Sequence, residues 1–310
     1  MSVALQVAIT GLAAGGVYGL VAVGYSLVFR LTGTIAFAFG DLVGLGVFAT
    51  LLVAAGTGPV SQTNVGGARY ALAVVCGLLI CVAVGIAGYL LVVEPFLLRG
   101  STVGWIGGTL ALAFAVRAVL QSVFPREAYV FPDPIPFERL GHGGFVEIGG
   151  ASIQIRAFYV IAVAVGLALG AVWLLERTKV GRGLRAIAED AQGARLMGVP
   201  VEAFVPVAFG LVGAIAALAA IVASPSAPVT LETWPLVGVK ALAAAAIARF
   251  VLPWPALLAG LGLGVAEAAF AEVHVGSFEP GAGWSALLPL GLALAVLATR
   301  PPDDARDDAE

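Results

Sequence analysis

Long apolar runs follow one another along almost the whole chain, and no other feature restricts its folding as strongly. A helix needs about 20 apolar residues to cross the hydrocarbon core of a bilayer. Runs of roughly this length occur at Leu5–Phe29, Thr34–Ala55, Tyr70–Val93, Thr102–Phe124, Ala157–Leu175, Ala203–Ala223, Leu236–Leu252, Pro255–Val273 and Trp284–Thr299. Only 11% of the residues are charged, whereas a soluble domain has about 25%. The sequence therefore predicts an all-α, polytopic integral membrane protein with about eight to nine transmembrane helices.

Glycine and alanine recur within several of these runs. Small residues let helices approach closely in lipid, so Gly11–Gly19 and Ala259–Gly264 are predicted to pack helices together rather than to line a pore. Glycines also interrupt the second run, Thr34–Ala55, which leaves open whether it crosses the membrane, is broken or re-enters from one side.

The cations lie unevenly on the two sides of these runs. Alternating the nine segments places ten of the 16 Lys and Arg residues on one side and four on the other. The first side carries Arg30, Arg99, Arg177, Lys179, Arg182, Arg185, Arg195, Arg249, Arg300 and Arg306. Since an excess of Lys and Arg marks the cytoplasmic side, residues 176–200 are predicted to form a cytoplasmic loop and residues 125–156 an extracytoplasmic one. The side of the N-terminus depends on whether the second segment crosses.

The domain organisation follows from the same pattern. Residues 1–300 are predicted to form a single transmembrane domain, and the acidic segment Pro301–Glu310 a disordered cytoplasmic tail. Within the extracytoplasmic loop, the rough alternation of polar and apolar residues over Phe145–Ile155 predicts a short hairpin.

The sequence lacks the residue patterns that several kinds of chemistry require. Neither lysine, Lys179 or Lys240, follows the glycine pattern of a phosphate-binding Walker A loop. The two histidines, His142 and His274, stand apart, so no metal site is predicted. With a net charge of -3, the chain has no basic excess for nucleic acid. We therefore expect a protein that is not an enzyme and holds no cofactor, and that draws energy for uphill transport from a partner protein or an ion gradient.

One cytoplasmic loop is amphipathic. Four apolar residues recur at helical spacing: Leu184, Ile187, Ala191 and Ala194. Gly198 stands where a left-handed cap belongs, and Pro200 follows it. We expect one short helix whose small apolar face docks into a protein groove. An interfacial helix resting on lipid headgroups is the alternative.

The same loop carries a resemblance to a known family. The string Thr178-x-x-Gly181-Arg182-x-x-Arg185-Ala186-x-Ala188-Glu189-Asp190-x-x-x-Ala194-x-Leu196-x-Gly198-Val199 resembles the coupling-helix loop of permease subunits from branched-chain amino-acid ABC importers. Further similar stretches are Gly24–Phe29, Gly33–Asp41, Gln121, Lys240-Ala241 and Leu263–Ala268, collinear over about the whole chain. Residues 176–200 are called the coupling loop below.

The resemblance implies a permease of the inner membrane. A cytoplasmic ABC ATPase, which binds the ATP and Mg2+, would dock on Gly181, Arg182, Arg185, Ala188, Glu189, Asp190, Ala194, Leu196 and Gly198. A second permease subunit, identical or related, would complete the path, and an extracytoplasmic solute-binding protein would deliver the solute. The family implies a branched-chain or other hydrophobic amino acid, with urea or a short amide as alternatives.

The chain departs from the family at two places. It has Ala36-Phe37-Ala38-Phe39-Gly40 where the family usually has Asn-Phe-Ala-His-Gly, and Ala248–Pro255 replaces a Gly-Gly-x-Gly-Ser stretch. If these positions shape the path, the solute differs from the family norm. A divergent half of a heterodimer is equally consistent.

Polar residues within the predicted spans are candidates for the path or for pairing helices. They are Asp41, Arg117, Gln121, Lys240 and Glu267. Ionisable groups at bilayer depth usually face a protein or aqueous interior, and one interpretation is a pair between Arg117 and Glu267, which would neutralise both. Two rival functions remain open: an ion-coupled secondary transporter or channel that uses these charges, and a membrane-embedded enzyme.

Overall fold

The protein is a bundle of apolar α-helices. The computed structural model describes residues 2–56, 65–98, 104–125, 128–133, 135, 144–148, 151–251, 253–272, 289, 291–292 and 295. The helices within these ranges are α1 (Ser2–Thr32), α2 (Phe39–Ala55), α3 (Gly67–Gly88), α4 (Glu94–Leu98), α5 (Gly104–Val123), α6 (Ile155–Arg177), α7 (Lys179–Glu189), α8 (Ala191–Leu196), α9 (Val201–Ala223), α10 (Thr233–Ile247) and α11 (Trp254–Ala271). A π-helical turn, Tyr89–Val93, joins α3 to α4, and a 3-10 turn, Ser224–Ser226, follows α9.

The predicted polytopic all-α fold is confirmed. Within the described ranges, six continuous helices are long and apolar enough to cross a membrane: Ala4–Thr32, Gly67–Phe96, Gly104–Val123, Ile155–Arg177, Val201–Ser226 and Trp254–Ala271. The second and seventh predicted spans correspond to the shorter apolar helices α2 and α10. The ninth, Trp284–Thr299, lies outside the described residues except for four isolated positions, and the tail Pro301–Glu310 lies wholly outside them.

Helix α1 packs along helix α11. Glycines of α1 meet the backbone of α11 in antiparallel order, Gly11 against Val265, Gly15 against Gly260 and Gly19 against Leu257. A Cβ atom on Gly15 would lie 2.8 Å from the carbonyl oxygen of Gly260, closer than such atoms approach. The small residues of both predicted stretches therefore serve helix packing, as expected.

The chain turns back into the bundle between α1 and α2. Gly33 has a positive φ of 66°, and the segment after it is not helical although Thr34, Ala36 and Ala38 are buried. α2 begins with the Phe39 ring 5.2 Å from that of Tyr25. Since Tyr25 lies seven residues before the end of α1, α2 starts roughly 10 Å inside that end. The second predicted span is thus the broken alternative, because the non-helical residues 34–38 lie inside the bundle before α2 begins.

At the far end of α2, non-helical segments cover the bundle. Strands β1 (Phe145–Ile148) and β2 (Ala151–Gln154) form an antiparallel hairpin in the predicted place. Tyr129 and Val229 exchange two backbone hydrogen bonds of 2.9 and 2.8 Å. The Tyr129 ring packs edge-on against those of Phe48 and Phe124. These contacts anchor part of the predicted extracytoplasmic loop to α2 and α5.

Candidate functional site

The coupling loop contains two helices rather than the single one predicted. α7 ends at Glu189 and α8 begins at Ala191. Asp190 between them has an extended backbone, and its carboxylate accepts hydrogen bonds from the N–H groups of Gln192 and Gly193 at 2.9 and 3.0 Å. Asp190 is therefore the N-cap of α8. An Asp that can satisfy the free N–H groups of a new helix turn ends the preceding helix locally.

The apolar face of the loop docks on this chain itself. Leu184, Ile187 and Ala194 are buried against the helix bundle, where α7 contacts α1, α6 and α9. Gly181 lies so close to the backbone of Leu174 and Leu175 that any side chain there would collide with it. The apolar face therefore docks into a protein groove, as expected, and that groove belongs to this chain's own bundle.

Capping bonds fix both ends of the loop. The Thr178 hydroxyl accepts a hydrogen bond from Gly181 N–H at 3.0 Å and donates one to Leu174 O at 2.6 Å. At the other end Gly198 has a φ of 83°, as predicted for a left-handed cap. The N–H groups of Val199 and Gly198 donate to the carbonyls of Ala194 and Arg195, which is the paired pattern of a Schellman cap.

Beyond the docked face, the loop presents an exposed apolar tip. Leu196 and Met197 are 89% and 85% exposed, more than any other large apolar residue among those described. Among the residues predicted to contact the ATPase, Ala188 is half-buried. The other exposed residues of that set are Arg182, Arg185, Glu189, Asp190 and Gly198. Arg185 donates to the carbonyl of Glu176 at 3.3 Å. Met197 was not among the predicted contact residues, although its place beside a helix-ending glycine indicates exposure.

The in-span charges form two separate pairs. Arg117 of α5 pairs with Asp41 in the first turn of α2, with Nε 3.3 Å from Oδ1. Glu267 of α11 pairs with Lys240 of α10, with Oε1 2.5 Å from Nζ. The predicted pairing of Arg117 with Glu267 is therefore wrong. Helix α2 contacts α5, and α10 contacts α11, so each carboxylate finds a cation on a helix that packs against its own.

The Lys240–Glu267 pair sits among packed helices. Its side chains are 13% and 17% exposed. Lys240 also donates to the hydroxyl of Tyr18 on α1 at 3.4 Å, and its ammonium lies 5.4 Å from the centre of that ring. This cluster joins α1, α10 and α11, so its geometry is that of a helix-pairing element.

The Asp41–Arg117 pair instead borders a recess of about 200 Å³. Its walls come from α1, α2, α5, α10 and the segment before α2, and they consist of Tyr25, Phe37, Asp41, Leu110, Ala113, Phe114, Arg117, Pro235, Val239 and Leu242. We call it the α2–α5–α10 recess. Gln121, one turn beyond Arg117, is exposed and lies outside the residues that line it.

The two departures from the family pattern have different structural roles. Phe39 is fully buried, with its ring 5.2 Å from Tyr25 and 6.5 Å from Phe209, so it fills the core. Phe37 lines the recess. Arg249 and Phe250 have φ values of 56° and 54°, which suit glycine better than any larger residue. Stacking of Phe250 on Phe29, with centroids 4.3 Å apart, holds this turn.

Comparisons with known proteins agree over nearly the full length. Residues 7–297 match the family model described as branched-chain amino acid transport system / permease component. The chain is 28% identical over 309 residues to the high-affinity branched-chain amino acid transport system permease protein BraD of Pseudomonas aeruginosa, covering 96% of this chain and 94% of that protein. It is 24% identical over 274 residues to the corresponding permease protein LivH of Escherichia coli, covering 85% of each.

Proposed function

Because the chain belongs to the family of branched-chain amino acid transport system permease components, we propose that it is the membrane-spanning subunit of an ABC importer for a branched-chain amino acid. The protein is a multi-pass protein of the cell membrane. The relatives BraD and LivH are named as high-affinity branched-chain amino acid permeases, and this supports the solute class. The chain itself carries out transport rather than a chemical reaction.

One observation supports the ATPase coupling: the coupling loop is packed against the bundle and carries an exposed apolar tip. A loop built to rest on lipid would turn its apolar face outward. Here that face is buried against α1, α6 and α9, and the most exposed large apolar side chains of the loop are Leu196 and Met197. Two exposed apolar side chains at the end of a capped helix suit a hydrophobic pocket on a partner, with the neighbouring charges at its polar rim.

The attachment of the loop explains how a force on it reaches the membrane. Gly181 lies against the end of α6, and Gly183 lies against the Phe204 ring of α9. When two ATPase subunits close on ATP and Mg2+, they shift the tip, and α7 passes the shift to α6 and α9. The path then changes the side to which it opens, as in rigid-body switches elsewhere.

The remaining partners follow from the orientation. Arg30, Arg185 and Pro253 border one cavity at the end of the bundle where the coupling loop lies, and the excess of cations places this end in the cytoplasm. A solute-binding protein then docks at the opposite end, near the hairpin and the Tyr129–Val229 bridge. A second permease subunit, identical or related, encloses the path.

Co-purification of the ATPase tests the proposal. Leu196→Asp with Met197→Asp is expected to abolish recovery of a Walker A protein from native membranes, because a charge in the tip opposes burial in an apolar pocket. The control is Val130→Asp, which alters an exposed apolar residue near the Tyr129–Val229 bridge, and it is expected to leave recovery unchanged. Recovery of no ATPase with the wild-type chain, even after cross-linking, would refute the importer and favour an ion-coupled transporter.

A further inference from the structure

The α2–α5–α10 recess combines both signs of charge with apolar walls. Asp41 supplies a carboxylate and Arg117 a guanidinium at 3.3 Å. Around them stand Leu110, Phe114 and Val239. An aliphatic α-amino acid has the matching set of groups: an ammonium, a carboxylate and an apolar side chain. The recess of about 200 Å³ also exceeds the 10–15 Å³ or so that a single water molecule requires.

The face that holds this recess is a poor lipid contact. The Arg117 side chain is 32% exposed in the subunit although it lies six residues inside the end of a helix long enough to span the bilayer. A charged group at that depth is retained where it faces protein or water rather than acyl chains. Phe114, one turn before Arg117, is 66% exposed on the same recess. This face therefore belongs to the interior of the assembled transporter.

We propose that Asp41 and Arg117 contact the amino acid during its passage, with Arg117 binding its carboxylate and Asp41 its ammonium group. This inference rests on the proposed importer function, and it identifies residues of the path. In the empty transporter the two side chains neutralise each other. A zwitterion that enters between them replaces both partners at once, so neither charge is left unpaired.

The exchange has two consequences for selectivity and release. A solute with a single charge would leave either Asp41 or Arg117 uncompensated, so amines and simple carboxylates are disfavoured. The zwitterion gains contacts similar to those that the pair gives up. Its net binding is therefore weak, as a site on a path requires if the solute is to leave it.

The first test separates contact with solute from a structural role. Cells carry Asp41→Asn, Arg117→Gln or both in place of the native chain, and uptake of radiolabelled L-leucine, L-isoleucine and L-valine is compared at equal protein abundance. If the pair only joins α2 to α5, the neutral double variant regains the uptake that either single variant loses, which would overturn the proposal. We expect all three variants to lose uptake by at least about tenfold, with the ATPase still recovered.

A labelling test does not depend on knowing the solute in advance. Phe114→Cys is introduced into a chain whose Cys76 and Cys81 are replaced by Ala. Native membranes that contain this variant are treated with a membrane-impermeant cationic thiol reagent, and the rate of labelling is measured. The control is Leu79→Cys in the same background, since Leu79 is comparably exposed (62%) near the middle of another spanning helix. We expect Phe114→Cys to react at least about tenfold faster, because thiolates form in water and not in lipid.

The outcomes separate the two proposals. Equal, slow labelling of both cysteines would overturn the assignment of the recess to the path, whatever the ATPase result. Fast labelling that saturating L-leucine slows would support it. Absence of an ATPase partner would refute the importer function while leaving the labelling result as a measure of the path.

Discussion

Removing one partner of the Lys240–Glu267 pair is expected to destabilise the protein more than removing both. The two side chains are 13% and 17% exposed and their charged atoms lie 2.5 Å apart. Lys240→Met leaves a buried carboxylate without its cation, which costs about 3–5 kcal/mol in comparable sites. Replacing both residues by Met keeps similar volumes and leaves no lone charge. The double variant is therefore expected within about 1 kcal/mol of the wild type, or above it.

Equilibrium unfolding in mixed detergent micelles, titrated with sodium dodecyl sulfate and followed by tryptophan fluorescence, measures these free energies. The chain offers a matched control in the Arg195–Glu202 pair, whose N–O distance is 2.8 Å but whose side chains are 55% and 65% exposed. Its single variants, Arg195→Met and Glu202→Met, are expected to change stability by no more than about 1 kcal/mol, since water already solvates both charges.

The double variant decides the interpretation. If Lys240→Met with Glu267→Met costs the sum of the two single changes, the charges do not compensate each other and the helix-pairing role is wrong. The same variants also refine an expectation for transport. Glu267→Gln is expected to lower uptake through loss of helix packing, and full uptake at normal abundance would contradict this.

Two further predictions concern glycine geometry. Gly181→Ala is expected to displace the coupling loop and to lower uptake strongly. The control is Gly170→Ala on α6, where a Cβ meets open space, and it is expected to leave uptake unchanged. Equal uptake by the two variants, at equal abundance, would contradict the tight docking of α7. The free energy of unfolding of Arg249→Gly is expected to exceed that of Arg249→Ala by about 1–2 kcal/mol, because both variants lack the long side chain and only Ala keeps the cost of a positive φ. A more stable Arg249→Ala variant would refute that cost.

The sequence predicted the spanning helices well because the physical signal is local. An apolar run long enough to cross a bilayer has few alternatives to a helix, since its backbone must bond to itself. The start of α2 was harder to place. Residues 34–38 are as apolar as a membrane-spanning helix, but their non-helical backbone is buried within the protein. Gly33, with its positive φ, is the local sign of the turn.

The candidate site was predictable in its residues but not in its contacts. Charge within an apolar run selects Asp41, Arg117, Lys240 and Glu267. Which carboxylate meets which cation depends on helix order in space, since Asp41 and Arg117 are 76 positions apart. The amphipathic pattern of the coupling loop likewise does not distinguish a groove on a partner from one on the same chain. The N-cap role of Asp190 was predictable from its residue type, since Asp is a preferred N-cap residue.

The glycine seam between α1 and α11 also bears on how the protein is made. Gly19 is synthesised about 240 residues before Leu257, its contact on α11. At the 5–20 residues per second of ribosomal synthesis, α1 therefore resides in the membrane for roughly ten to fifty seconds before that partner exists. During biogenesis its seam must be shielded by lipid or by the insertion machinery. A nascent chain that stops short of Trp254 leaves the seam permanently open, and a membrane protease would encounter it in that state.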